Sequence, residues 1–244
     1  MRKFAVVLVY CLLGLVSNPA CSESQIELRP LAEGVWIHTS YYTYPGGSEY
    51  PSNGLVVRNG RGLILIDTAW GEIQTVELLK IIKAKINLPI TMAMVTHSHG
   101  DRASGIDVLK ANNVKAFAHP LTRQLTVEHG LPVPDEIFSQ LTKRGSTVSF
   151  GNTEVFFPGI AHAPDNLMVW LPDHKILFGG CAVRALSANS AGNIAHGDAA
   201  SWLQAMRETG QFYKNAKIVV PGHGESGGLE LLAHTEKVVG ETAE

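Results

Sequence analysis

The chain predicts an α/β protein in which two β-sheets pack together with helices outside. Three observations carry this expectation. Short apolar runs of strand length recur, and several end in turns rich in small residues. Helix-like segments alternate with these runs in both halves of the chain. The 244 residues, 45% hydrophobic and 17% charged, supply enough apolar chain for a sizeable core.

Residues 1–22 stand apart from that pattern. Met1-Arg2-Lys3 is a short basic start, and residues 4–16 are apolar except for Tyr10 and Gly14 before Ser17-Asn18-Pro19 breaks the run. This is the pattern of a secretory leader, too short for a comfortable membrane span. Ala20-Cys21-Ser22 offers small residues for cleavage, expected after Ser22, leaving residues 23–244 as the folded domain in a periplasmic location. Lipid attachment at Cys21 is the alternative; Asn18-Pro19-Ala20 argues against it, having no Leu at the expected place.

The domain reads in order as strands over 34–38, 54–57 and 62–67, the first two separated by the Tyr- and Gly-rich turn stretch 41–47. Apolar spacing over 75–84 predicts an amphipathic helix, and a strand follows over 90–95. Then come a helix at 106–111 and a strand at 114–118. The second half repeats the theme, with strands at 153–157, 175–178 and 217–220. Its helices are expected over 199–209, capped by Asp198, and over 228–239. No low-complexity tract or solenoid repeat is visible.

Charge and cysteine usage narrow the function. A net charge of −2 without a Lys/Arg cluster gives no field for nucleic acid. Of three cysteines, Cys11 and Cys21 fall in the leader, so the mature chain keeps Cys181 alone and cannot form an internal disulfide. Its thiol is either a small buried hydrophobe or a metal ligand.

Strand 90–95 runs into His97-Ser98-His99-Gly100-Asp101. On an extended backbone, alternate residues project to one side, so two imidazoles and a carboxylate are expected to converge at the strand end, as suits zinc. Three more strand-like runs lead to turns bearing His162, Cys181 and His223. Each has an ordinary alternative: His162 as a hydrogen-bonded core histidine, Cys181 as a buried thiol, His223 as a turn residue. Four such coincidences favour a metal site. His38, His119, His129, His174, His196 and His234 lack this setting and are expected to be surface or structural; among them only His196 sits where it could approach a substrate.

These residues resemble the class B metallo-β-lactamases, subclass B1, over about residues 34–239. The family pattern H-x-H-x-D, then His, Cys and His, matches His97, His99, Asp101, His162, Cys181 and His223. Leu65-Ile66-Asp67-Thr68-Ala69-Trp70-Gly71, Ala163-Pro164-Asp165-Asn166-Leu167, Gly179-Gly180-Cys181 and Ser190-Ala191-Gly192-Asn193 also match. Arg102 stands where the wider hydrolase superfamily has a second-site histidine, and Cys181 where it carries a bridging aspartate. His97 replaces the asparagine of the monozinc subclass.

The resemblance implies a four-layer αβ/βα sandwich and two zinc ions per chain. His97, His99 and His162 would hold the first zinc, and Asp101, Cys181 and His223 the second. It implies hydrolysis of the β-lactam amide of penicillins, cephalosporins and carbapenems by a zinc-bound hydroxide, without an acyl-enzyme, by a monomer. Asp101 would orient the nucleophile, and Asn193 would stabilise the developing oxyanion. Arg184, where many members place a lysine, would bind the substrate carboxylate; its alternative is a solvated surface charge. Residues 41–47 match the hairpin that closes over substrate, with Tyr44 as apolar cover. Trp70 either lines that pocket or sits in the core, and Asp67 and Arg102 support the ligands from behind.

Overall fold

The computed structural model describes residues 26–242; the expected leader, with Cys11 and Cys21, lies outside them. Strands β1 (Glu27–Ala32), β2 (Val35–Thr43), β3 (Glu49–Asn59), β4 (Gly62–Ile66), β5 (Ile90–Val95), β6 (Ala116–Ala118) and β7 (Glu136–Ile137) form one seven-stranded sheet in that order. The first four pair antiparallel through short turns. From β4 onward pairing is parallel, because helices α1 (Gly71–Lys85), α2 (Gly100–Ala103), α3 (Ile106–Ala111) and α4 (Pro120–Glu128) return the chain over the sheet.

The second sheet contains β8 (Thr147–Phe150), β9 (Thr153–Phe156), β10 (Met168–Leu171), β11 (Ile176–Gly180) and β12 (Ile218–Pro221), ordered β12-β11-β10-β9-β8. Only β11 and β12 run parallel here, joined through α5 (Ala199–Phe212). Helix α6 (Glu230–Thr242) packs beside α5.

Residue parity explains the layers. Ile64 and Ile66, Met92 and Met94, Val169 and Leu171, and Ile176 and Phe178 all enter one core between the sheets. Their odd-numbered neighbours in the first sheet, Leu63, Leu65, Ala93 and Val95, face a separate core with Leu78 and Ile82 of α1 and Ile106 and Leu109 of α3. Met168, Trp170, Leu177 and Val219 turn outward to Trp202, Met206, Leu231 and Val239 of α5 and α6. Strands covered on both faces read as unbroken apolar runs, which is why the inner strands were visible as blocks. Each fully buried large aliphatic contributes about 1.5–3 kcal/mol. The result is the expected four-layer αβ/βα sandwich.

Several boundaries differ from expectation. Asp198 does cap α5, accepting from Ser201 N–H at 2.7 Å, but the helix runs about a turn further, to Phe212. Strands β2 and β3 extend into a long hairpin, so the expected turn stretch begins as strand. Strand β10 was not anticipated: four apolar residues carry no period that separates strand from helix. Nor was α4, whose N-cap is the imidazole of His119, accepting from Leu121 N–H, rather than a hydroxyl or carboxylate.

Candidate metal centre

The end of β5 does not stay extended, as the alternation had implied. His99 keeps extended geometry as the N-cap of α2, and Asp101 lies inside that short helix. From that turn Asp101 Oδ2 meets Cys181 and His223 while staying within 4.8 Å of the His97 donor. Three clustered residues can thereby serve two places.

His97 Nε2 lies 3.1 Å from His99 Nδ1, which is 3.0 Å from His162 Nε2. His162 reaches this point from the loop beyond β9, not from the strand end itself. Ala163 N–H donates to Asn166 Oδ1 at 2.7 Å and braces that loop, while the His162 ring packs edge-on against Trp202. A second triad closes beside the first. Cys181 Sγ is 3.3 Å from Asp101 Oδ2 and 3.1 Å from His223 Nε2, and His223 Nε2 is 3.3 Å from the same carboxylate oxygen. His97 also lies within 4.8 Å of the Asp101 and Cys181 donors, so the triads adjoin.

Both triads fit zinc by donor chemistry and spacing. Tetrahedral donors about 2.0–2.1 Å from a centre stand roughly 3.3 Å apart, close to the separations found. Burial pushes the His99 pKa down to about 4 and His162 to about 3, and holds His97 well below its ordinary value. The imidazoles are therefore neutral, as ligation requires. His223 Nδ1 donates to Pro51 O at 2.6 Å, leaving Nε2 to face Cys181 and Asp101.

Arg102 is the buried hub behind the second triad. Its guanidinium pairs with Asp101 at 2.9 Å and Asp67 at 3.3 Å, donates to Cys181 Sγ at 3.0 Å and Gly222 O at 2.9 Å, and bonds Asn53 O. Burial alone would raise the Asp101 pKa, but Arg102 and His223 hold it well below the usual carboxylate range. Asp67, at a left-handed φ of 62°, turns its carboxylate onto Thr96 N–H and Oγ1 and fixes the approach to His97. Gly222 is required by contact: a Cβ there would meet Arg102 Nη2 and Cys181 N at 2.6 Å.

Above the triads opens a cleft of about 480 Å³, lined in part by Tyr44, Tyr50, Trp70, Arg184, Asn193 and His223. Trp70 is in the wall rather than the core, stacked on Tyr42 with centroids 5.0 Å apart. Tyr50, which sequence reasoning missed, lies 4.6 Å from the His223 ring. Arg184 packs against Gly192, beside Asn193, and its Nε donates to Ser190 O at 3.2 Å. Eight of the ten expected site residues thus line this cleft, and the other two, His97 and Cys181, are buried within donor distance of them. A larger hollow of about 540 Å³, lined by Glu154, Trp170 and Tyr213 among others, borders none of these donors.

A family model described as the metallo-beta-lactamase superfamily matches residues 47–223. The chain belongs to this superfamily. It is 37% identical to a metallo-beta-lactamase type 2 of Bacillus cereus over 212 residues, covering 86% of this chain and 81% of that protein. It is 34% identical to the type 2 enzyme of Bacteroides fragilis over 221 residues, covering 90% and 87%. Among solved structures, a metallo-beta-lactamase from Pontibacter korlensis superposes with a TM-score of 0.82 at 40% identity, covering 88% of this chain and 99% of that one. The metallo-beta-lactamase FIM-1 from Pseudomonas aeruginosa, in its mono-zinc form, gives 0.85 at 30% identity, covering 89% and 96%. The protein is therefore a metallo-β-lactamase-family hydrolase, and subclass B1 fits these relatives. Among the described residues no helix is long and apolar enough to cross a membrane.

Proposed function

We propose that this metallo-β-lactamase hydrolyses the lactam amide of penicillins, cephalosporins and carbapenems. His97, His99 and His162 would hold one zinc, and Asp101, Cys181 and His223 a second. The observation that carries this is the pair of adjoining donor triads at the floor of a cleft rimmed by Arg184 and Asn193. Zinc, when bound, supplies Lewis acidity and a water acidified to near neutrality.

The chain's own groups do the rest. Oδ2 of Asp101 faces Arg102, Cys181 and His223, leaving Oδ1 to accept from the attacking water and orient it. Asn193 Oδ1 accepts from Ala195 N–H at 3.0 Å, so its NH₂ is the end that donates to the oxyanion as the carbonyl becomes tetrahedral. The Arg184 guanidinium pairs with the substrate carboxylate. Tyr44, Tyr50 and Trp70 cover apolar substituents and exclude water. The ring C–N bond then breaks, and the departing nitrogen takes a proton. No serine nucleophile takes part.

Kinetics on a penicillin, a cephalosporin and a carbapenem, with zinc counted per chain, test this reading. Turnover of lactams with two zinc ions per chain is expected. Hydrolysis of thioesters or lactones alone would replace the reading, and stoichiometric zinc without any hydrolysis would reduce the chain to a zinc-binding protein. The basic-apolar leader supports export to the periplasm by signal cleavage.

A further inference from the structure

His99 turns Nδ1, not Nε2, toward the other two histidines of its triad. For that nitrogen to offer a lone pair, the ring proton must sit on Nε2. The partner of this N–H is His196 Nδ1, 2.9 Å away. His196 must then be an acceptor at Nδ1 and carry its own proton on Nε2. The donor–acceptor sense of the pair is fixed by the metal-facing nitrogen alone.

His196 is exposed and sits three residues beyond Asn193 in the loop before α5. Its ring stacks on His129, centroids 4.8 Å apart and 11° from parallel. His129 Nδ1 in turn donates to Ser98 O at 2.8 Å, on the residue between the two ligand histidines. The loop is seated close to His162 as well: Asp198 N–H donates to Ala161 O, and a Cβ on Gly197 would meet that same oxygen at 2.7 Å. His223 takes its orienting contact from a backbone carbonyl, but His99 takes it from a side chain on the loop that bears Asn193.

We propose that His196 is a positioning residue that couples the three-histidine metal site to the Asn193 loop by accepting the Nε2–H of His99. This rests on the zinc-hydrolase reading above. It acts in both directions: the loop holds the ligand's tautomer and ring plane, and the ligand holds the loop where Asn193 can reach the oxyanion.

The test compares the wild-type chain with His196→Leu, His196→Asn and His196→Asp, reading zinc affinity by competition with a chromophoric chelator, and kcat and KM separately. His196→Leu is expected to weaken one of the two zinc equivalents by about 10–100-fold, the usual cost of losing such a partner, and to lower kcat with a smaller change in KM. His196→Asn and His196→Asp keep an acceptor and should recover most of the affinity. A His196→Leu chain that binds both equivalents as wild type does, or a His196→Asn chain as weak as His196→Leu, overturns the proposal. Wild-type zinc binding and lactam turnover would leave the underlying reading standing in either case; a wild-type chain that takes up no zinc overturns both.

Discussion

Burial raises the Cys181 thiol well above its ordinary pKa, against the opposing pull of Arg102, so without metal the sulfur keeps its proton. As a zinc ligand Cys181 would have to give up that proton, and its thiolate would offset the ion's charge. Serine cannot be deprotonated as readily, so Cys181→Ser should lower second-site zinc affinity and cut turnover at least tenfold at limiting zinc; near-normal activity there would remove Cys181 from the ligand set. Arg184→Ala should chiefly raise KM for carboxylate-bearing lactams, as loss of uniform binding does, and an unchanged KM would make it a surface charge. The ligands were legible in sequence because metal-competent side chains recur after apolar runs. Asn53 and Tyr50 were not, and His196 was legible only as a residue able to approach a substrate, not as a partner of His99. Their roles exist only through partners distant in the chain: Asn53 Nδ2 reaches Pro221 O and Gly224 O, and His196 reaches His99.

Among the elements, the hairpin of β2 and β3 shows how a scaffold can pin a loop, here the one proposed to cover substrate. Gln74 on α1 accepts from Tyr41 N–H at 2.9 Å and donates to Tyr41 O at 2.7 Å, clamping the strand to the helix from both sides. Trp70 N–H adds a bond to Ser40 Oγ at 2.9 Å. Hydrogen bonds of this kind contribute about 0.5–1.5 kcal/mol each. Gln74→Ala should therefore raise KM several-fold with a smaller change in kcat, measured on a cephalosporin; no change in KM would mean that the Tyr42–Trp70 stack suffices to hold the hairpin. The hairpin was partly legible from its Tyr and Gly content, but Gln74 lies in a helix whose sequence shows only amphipathic spacing. The H-x-H-x-D pattern named donors that do converge, but not the backbone that carries them. The helix α2 that holds Asp101 is one turn long, too short to leave a periodic signal.

For the whole molecule, the order of layers followed from unbroken apolar runs, whereas the parity that assigns each residue to a core needed the structure. The same burial sets the response to acid. His38 and His119 are held to about 4 by burial, as is His99, and His162 to about 3. The unfolded chain takes up these protons near pH 6.5 and the native chain does not, so native stability falls as pH drops from about 6.5 toward 4. Asp67, raised to about 6 by burial against the pull of Arg102, acts with the opposite sign but is outnumbered. Denaturant titrations of the metal-free chain should show this decline, and a stability flat between pH 7 and 5 would contradict it.

On this reading the two donor triads form one zinc-dependent lactamase centre. Its most direct test is turnover of a chromogenic cephalosporin by the purified chain before chelation, after metal removal, and after zinc is restored. Turnover should disappear with the metal and return with two equivalents of zinc. Turnover that survives complete metal removal, or that is absent from the fully zinc-loaded chain, would contradict it.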